Sequence, residues 1–457
     1  MATTTHSPPP QVRHRAPNAE RRRSPAAPLL LAAWAGGVAV LALWWHDTAS
    51  VLGSAGWLTG AGRITGLLCG YMCALLIALM ARVPWLETGV GSDRTARWHA
   101  SAGRWTLSLL LAHIVLTTLG YAAQAHVGPL PELGTIVFDL PDMVKGTAGA
   151  VLLLAVGYTS VRAVRRAMRY ETWYYLHLTT YAAVFLAFSH QLALGADFVG
   201  SAPARAAWYA LYAFAAGLVV WFRVLTPLGL NLRHRLRVEG VVREAPGVYS
   251  LWIRGRRLDR LGVQPGQFMR WRFLAPGMWS ACHPYSLSAV PRGDLLRITV
   301  KALGDHSGAV ATLRPGTRVW AEGPYGALTA ARRRRGKVLL IAGGTGITPL
   351  RALFESLPAA PGALTLLYRA RTAEELALRG ELEAIAAGRG ARLVYALNGP
   401  DGARTPITSE RLRALLPDLA RHDVYLCGPH GMAVAAYDAL RTAKVPASRI
   451  HYESFEM

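Results

Sequence analysis

The chain is 457 residues long, 52% hydrophobic with a positive mean hydropathy, and carries 50 Lys and Arg against 27 Asp and Glu, a net charge of +23. Length alone suggests two or three domains, and the hydropathy places much of the chain outside water. A nucleic-acid role is excluded by where the charge lies. Arg13, Arg15, Arg21, Arg22 and Arg23 precede the first apolar run, Arg82, Arg94 and Arg97 follow the second, and Arg162, Arg165, Arg166 and Arg169 follow the fourth. Loops 46–57, 122–145 and 191–205 hold only Lys145 and Arg205. This positive-inside asymmetry describes a multi-pass cell-membrane protein whose N-terminus and whole C-terminal half are cytoplasmic, its basic clusters lying beside anionic lipid.

Residues 1–27, rich in Pro, Arg, Thr and Ala without an apolar period, read as a disordered basic tail. Six apolar runs follow, at roughly 29–45, 57–81, 99–121, 144–161, 173–191 and 206–224, each near the length of a spanning helix, which gives a transmembrane domain over 28–225. The first run also satisfies the pattern of a signal peptide. Residues 233–325 alternate apolar and polar (LRVEGVV, VYSLWI, LLRITVKA, RVWAEG) between turns at Pro265-Gly266, Pro276-Gly277 and Pro315-Gly316, which predicts an antiparallel β-barrel domain over 230–331. From Lys337 buried strands (KVLLIAG, ALTLLYRA, ARLVYAL, DVYLCG) alternate with helical segments, the mark of a doubly wound α/β domain over 336–457. The four cysteines, Cys69, Cys73, Cys282 and Cys427, lack metal-type spacing, which excludes a plant-type iron-sulfur module and suits a reducing compartment.

The third run, WHASAGRWTLSLLLAH, sets His99 and His113 fourteen positions apart, ~21 Å along a helix and within ~40° of one face. The fifth carries His177 and His190, thirteen apart; that spacing rotates ~220° in an ideal helix and needs a bend to bring both to one side. His126 is an alternative outer ligand. Ionisable groups inside a span are costly and functional by default. Both runs lead outward, so His99 and His177 share an inner level and His113 and His190 an outer one. Two imidazoles per metal, with no open position, suit bis-histidine haem iron.

In the cytoplasmic half, HPYSLSA offers His283, Pro284, Tyr285 and Ser286, a ring and a hydroxyl that can cover a flat flavin face and bond its edge. Beyond Lys301, Gly304 and Ser307 lead toward a helix start suited to a pyrophosphate. KVLLIAGGTGITPL puts a strand, a turn at Gly343, Gly344 and Gly346, and a helix start with Thr345 and Thr348 as caps in the order a dinucleotide requires. Arg369 and Arg371 of YRAR can pair a 2′-phosphate, which favours NADPH. CGPHGM adds Cys427, Gly428 and Pro429 after a later strand.

The four histidines, at these spacings on the third and fifth of six spans, resemble the ferric reductase and NADPH oxidase family of transmembrane b-type haem proteins. The cytoplasmic motifs resemble the FAD and nicotinamide-dinucleotide sites of the ferredoxin reductase superfamily. The resemblance implies FAD, NADPH and two b-type haems as cofactors: a six-helix transmembrane haem bundle, then an antiparallel β-barrel FAD domain and a doubly wound α/β nucleotide-binding domain. It places Ser307 at the phosphate end of the flavin and Cys427 near the nicotinamide ring. Arg63 then lies close to the outer haem and the acceptor, although an arginine snorkelling to the headgroups is an equal reading. Where many oxidases carry a further histidine, one turn beyond the outer ligand, Thr117 stands here. Phe455 in HYESFEM resembles the terminal ring that stacks on the flavin, with two residues following it. The implied activity is NADPH oxidation on the cytoplasmic side, with oxygen or a ferric chelate as the small-molecule acceptor on the other. Two alternatives are a membrane cytochrome feeding an extracytoplasmic partner protein docked on segment 124–143, and a transporter or flavin sensor without haem.

Overall fold

A computed structural model of the chain describes residues 26–47, 51, 53–399 and 405–453. Its first half is helical: α1 (Ala26–Asp47), α2 (Gly53–Leu79), α3 (Ser92–Ala125), α4 (Pro129–Asp139), α5 (Met143–Thr159), α6 (Tyr170–Leu194) and α7 (Ala202–Val219). Among the described residues four helices are long and apolar enough to cross a membrane, or five if α4 and α5, bent by 113°, count as one broken span. The expected fifth run is the continuous helix α6, whose two histidines and Gln191 keep it below that hydropathy threshold. Large apolar side chains such as Leu31, Trp34, Phe185 and Phe214 face outward, as a lipid-facing surface requires.

Glycines set which helices touch. A Cβ on Gly62 of α2 would lie 2.5 Å from the Thr117 hydroxyl of α3, and one on Gly120 of α3 would lie 2.6 Å from Thr59 of α2. The two helices therefore approach through reciprocal glycine-threonine contacts, the small-residue packing that replaces the hydrophobic effect in lipid. The same device joins α5 to α6, where Gly149 meets the Ala183 carbonyl and the Ala187 methyl. Tyr71 donates to the Ala33 carbonyl at 2.8 Å and Trp44 to the Gly60 carbonyl at 3.0 Å, which fastens α1 onto α2.

The last helix runs past the expected boundary at 225. It passes through a π-turn over Val220–Leu225 into α8 (Thr226–His234) and ends at Arg235 in the left-handed region. Pro227 has no N–H to return to the preceding turn, so the ladder slips by one residue instead of breaking. On α8, Asn231 donates to the Ala321 carbonyl and accepts from its N–H, each at 2.8 Å, which ties the helical half to the next domain.

That domain has strands β1 (Arg237–Ala245), β2 (Val248–Arg254), β3 (Phe268–Phe273), β4 (His283–Ser286), β5 (Leu295–Lys301) and β6 (Val319–Tyr325). They form two antiparallel sheets, β1-β2-β5 and β4-β3-β6, rather than one continuous ladder. Isolated bridges Arg237↔Arg318 and Leu287↔Ile298 link the sheets around one core that includes Leu251, Met269, Trp271 and Ile298.

The C-terminal domain is α/β, as expected. A parallel sheet of order β11-β10-β7-β8-β9 is built from β7 (Lys337–Gly343), β8 (Leu364–Arg369), β9 (Arg392–Ala396), β10 (His422–Cys427) and β11 (Ile450–Glu453), with α9 (Ile347–Ser356), α10 (Arg379–Arg389), α11 (Ser409–Leu415) and α12 (His430–Thr442) between them. The chain winds from β7 out to β9, then returns to the other side of β7 with β10. The C-terminal ends of β7 and β10 are therefore the switch point where such sheets bind ligands.

Arg297 of β5 locks the β domain and the α/β domain together. Its side chain is 3% exposed, and it donates to Glu381 of α10 at 2.9 Å and to the Ser288 carbonyl at 2.9 Å. Arg351 of α9 donates to the same carboxylate at 2.9 Å. Glu381→Ala strands the buried Arg297 charge and is expected to cost about 3 kcal/mol, read as an earlier urea transition. Glu239→Ala, on an exposed and solvent-screened pair with Arg254, is expected to leave that transition where it is.

Candidate functional site

Because α3 packs mainly on α2, and α6 mainly on α5, the two histidine-bearing helices face each other across a gap. The rings of His99 and His177 approach to 5.8 Å between centroids, inclined at 71°. His113 and His190 line one cavity together with Arg63, Thr117, Gln191 and Asp197. The structure thus brings His99 beside His177 and sets His113 and His190 around one cavity. The thirteen-residue spacing is met without a break in α6: His177 stacks on Trp173 and reaches Ser160 beyond one end of α5, while His190 packs on Gly146 near the other. His126 is the exposed, left-handed cap of α3 and does not line the cavity.

Glycines make room for the outer rings. A Cβ on Gly66 would lie 2.6 Å from His113 Nδ1, and one on Gly146 would lie 2.8 Å from His190 Nδ1. His113 Nδ1 lies 2.8 Å from the Gly62 carbonyl, which can only accept. The proton is then on Nδ1, and Nε2 keeps its lone pair. At the inner level Trp173 donates to Ser160 Oγ at 3.3 Å, and that oxygen lies 3.4 Å from His177 Nδ1. The buried Nδ1 atoms of His99 and His190 have no aligned hydrogen-bond partner.

Arg63 does not snorkel to the headgroups. Its Nη2 donates to Asp197 Oδ1 at 2.6 Å, and the Asp197 side chain is 2% exposed, on the short helix Ala196–Val199. The reading of the sequence missed Asp197; the available signal was a single acid in an otherwise uncharged loop, GADFVG.

In the β domain, β4 pairs with β3 so that Ser286 lies opposite Phe268, Tyr285 opposite Met269, Pro284 opposite Arg270 and His283 opposite Trp271. Trp271 donates to the Tyr285 carbonyl at 2.9 Å. The rings of His283, Tyr285 and His306 gather within 6.1 Å of their neighbours, and burial pushes the Tyr285 hydroxyl up to about 12, so it stays protonated. The expected anion-binding helix start is only a five-residue turn, Asp305–Ala309. Ser307 Oγ accepts from the N–H groups of Leu303 and Gly304 at 2.9 and 3.0 Å, so two donors meant for a phosphate are already used. Lys301 ends β5 close by, half-buried.

At the switch point the two glycine motifs meet. A Cβ on Gly346 would strike the Cys427 carbonyl at 2.1 Å, and one on Gly343 the Met432 sulfur at 2.3 Å, with Pro429 also in contact. Gly428 abuts Gly343, and Gly344 is in the left-handed region at φ +54°. Thr345 and Thr348 do not cap α9: Thr348 donates back to the Thr345 carbonyl at 2.9 Å. Cys427 is fully buried; burial, with Glu453 adding, raises its thiol well above the ordinary value and keeps it neutral. Glu453 lies opposite Cys427 and reaches toward Gly326, a carboxylate that the sequence reading passed over. Arg369 closes β8 beside Gly343, whereas Arg371 is bound to Glu375 at 2.5 Å. Phe455 lies outside the described residues.

Comparison with known proteins agrees with both halves. The ferric reductase like transmembrane component family matches residues 65–188, and the oxidoreductase NAD-binding domain family matches residues 340–438. The ferredoxin reductase component of 3-ketosteroid-9-alpha-monooxygenase from Mycolicibacterium smegmatis is 33% identical over 242 residues, covering 50% of this chain and 67% of the relative. An NADPH oxidoreductase of Mycobacterium tuberculosis is 28% identical, with 56% and 70% covered. A flavohemoprotein of Chromobacterium violaceum is 33% identical over 42% of this chain, which spans about half (52%) of that relative. Among solved structures, a flavohemoglobin from Malassezia yamatoensis with bound FAD and heme aligns over 89% of this chain and 99% of its own at TM-score 0.46 and 17% identity. In this chain a helical first half that matches the ferric reductase like transmembrane component is thus fused to an FAD- and NAD(P)H-binding half, and the chain belongs to the ferredoxin-reductase-type oxidoreductases.

Proposed function

We propose that the chain is a transmembrane NADPH oxidoreductase with FAD in its β domain and one b-type haem at each histidine level, delivering electrons to an acceptor on the far side of the membrane. The observation that carries this reading is the gap between α3 and α6, bordered by two facing imidazoles at each of two depths. Among the described residues no cluster of three or more His, Cys, Asp or Glu could hold a bare metal ion. Two imidazoles per level therefore suit a metal whose remaining donors come from a macrocycle, and the glycines at 66 and 146 clear the space behind the outer rings. We read all six apolar runs as spans. Helix α6, at 25 residues, is ~37 Å long and exceeds a hydrocarbon core of ~30 Å. The arginine clusters put the dehydrogenase half in the cytoplasm.

His99 and His177 would hold the inner haem, His113 and His190 the outer one, and the groove at His283–Ser286 the flavin. When bound, the flavin splits a hydride's electron pair into single electrons and the haem irons carry them. The chain's own part is placement. Gly343, Gly346 and Gly428 let the dinucleotide backbone close on the switch point, and Arg369 meets the 2′-phosphate. Tyr285 covers the ring face with its hydroxyl protonated, and the neutral Cys427 thiol fills space beside the nicotinamide without competing as a nucleophile. Ser160, bridged to Trp173, orients His177.

For the acceptor, the Arg63–Asp197 pair favours oxygen over a ferric chelate. An anionic chelate needs a free cation at the outer cavity, and Asp197 already neutralises the one there. The partner-protein alternative rests on segment 124–143. There α4 turns Ile136 inward and leaves Leu130 and Phe138, 81% and 78% exposed, at the level of the headgroups, as an interfacial helix does.

Purified protein given NADPH without air is expected to develop a reduced b-type haem spectrum that air discharges with superoxide formed. A protein with no Soret band would end the haem reading. His113→Ala and His190→Ala are each expected to halve the haem content while NADPH still reduces the flavin at the wild-type rate. Asp197→Asn unmasks Arg63 and is expected to speed anaerobic reduction of ferric citrate roughly tenfold; unchanged kinetics would remove the ion pair from acceptor choice.

A further inference from the structure

A second cavity lies where the helical half meets the β domain. It is lined by the turn after α2 (Arg82 and Pro84), by Phe222 and Thr226 of the last helix, and by Gln264 and Tyr325 of the β domain, with Leu230 of α8. Among the described residues that line it, Arg82 alone is charged. Its guanidinium lies over the Tyr325 ring, 4.9 Å from the centroid, and makes no ion pair with any carboxylate of the described residues. The surrounding charge is short of anions. Arg223 and Arg270 act on Arg82 as like charges, Glu87 opposes them, and Glu322 is engaged with Arg270 at 3.6 Å. Burial together with those two arginines disfavours the charged form of Arg82.

Backbone conformation points to the same residue. Arg82 has φ +62°, a left-handed conformation in which a long side chain is uncommon. A half-buried cation in a left-handed backbone conformation, with no carboxylate partner among the described residues, is a site where a ligand can supply the negative charge. Arg82 also follows the end of α2 by three residues, which sets it at headgroup depth on the side where the arginine clusters lie. Thr226 and Gln264 add uncharged hydrogen-bonding groups to the walls.

We propose that this cavity is a phosphate-binding site centred on Arg82, filled by the phosphate of an anionic phospholipid headgroup or by free phosphate. The pairing is charge-assisted, and guanidinium presents a fork that matches phosphate oxygens. An occupant would touch the turn after α2, the last helix and the β domain at once, and would so set how the cytoplasmic half seats on the membrane half. This site is independent of which redox groups the protein carries.

The test uses the full chain, delipidated in neutral detergent and followed by native mass spectrometry and thermal unfolding. Wild type is expected to retain one phosphatidylglycerol in preference to phosphatidylcholine, and Arg82→Gln to bind it roughly tenfold more weakly. Arg82→Lys is expected to keep part of the affinity, and Arg233→Gln, an exposed arginine on α8, to keep all of it. Leu230→Trp fills the cavity while leaving Arg82 in place, and should abolish retention even if Arg82→Gln fails to fold. Stabilisation of wild type by millimolar inorganic phosphate, lost in Arg82→Gln, identifies the free anion as the source; stabilisation by phosphatidylglycerol alone identifies the lipid. The site is overturned if neither probe binds, if Arg82→Gln binds as tightly as wild type, or if Arg233→Gln weakens binding equally.

Discussion

Backbone contact through glycine is the constraint on which the membrane half depends. Lipid offers no hydrophobic drive between helices, so α2 can hold α3, and α5 can hold α6, only by close van der Waals approach. Gly62, Gly120 and Gly149 permit it. Two tight pairs result, and the space between them is left open. The histidines project into that space because their own helices are pinned from behind. Gly66 and Gly146 belong to the same seams and give the outer rings their clearance. Packing and site are therefore one feature: a side chain added at either glycine would push an imidazole as well as a helix.

The C-terminal half is organised by topology in place of close packing. The strand order reverses at β7 and β10, which brings the ends of two distant segments, GGTG and CGPHG, into contact. Neither loop alone makes a dinucleotide cleft. Gly346 against the Cys427 carbonyl leaves no volume for a side chain, so the cleft floor is backbone, and a ligand's phosphates can approach N–H groups directly. The Arg297–Glu381 contact then fixes this domain against the β domain, with the arginine buried and the carboxylate at the surface.

Buried charge is the recurring expense of this chain. Arg63 is matched by Asp197 and Arg297 by Glu381, while Arg82 has no carboxylate partner among the described residues. These partners come from segments more than eighty positions away, and nothing in the local sequence around Arg63 or Arg297 reveals them. The same limit applies to Glu453, which shares a short tail with the more conspicuous Phe455 but is the residue that the sheet register sets beside Cys427. Ser307 shows the opposite error: the residue was found, but its hydroxyl closes its own turn.

The sequence by itself determined the helical, β and α/β character of the successive segments, the spacing of the histidines and the nucleotide motifs. Apolar length, arginine asymmetry, period-two alternation and glycine turns are local signals, set by how a short stretch meets lipid, water or a neighbouring strand. Helix periodicity was legible in the same way, although it cast doubt on His177 and His190, because an ideal rotation ignores where the partner helix stands. Only the tertiary structure decided that His99 lies beside His177 and that His113 and His190 line one cavity, that the last helix continues to His234 through a π-turn, that Arg63 is neutralised by Asp197, and that Arg82 lies over a cavity with no carboxylate partner among the described residues. Each of these is a matter of which distant group arrives opposite a side chain, and the chain folds as a whole to settle it.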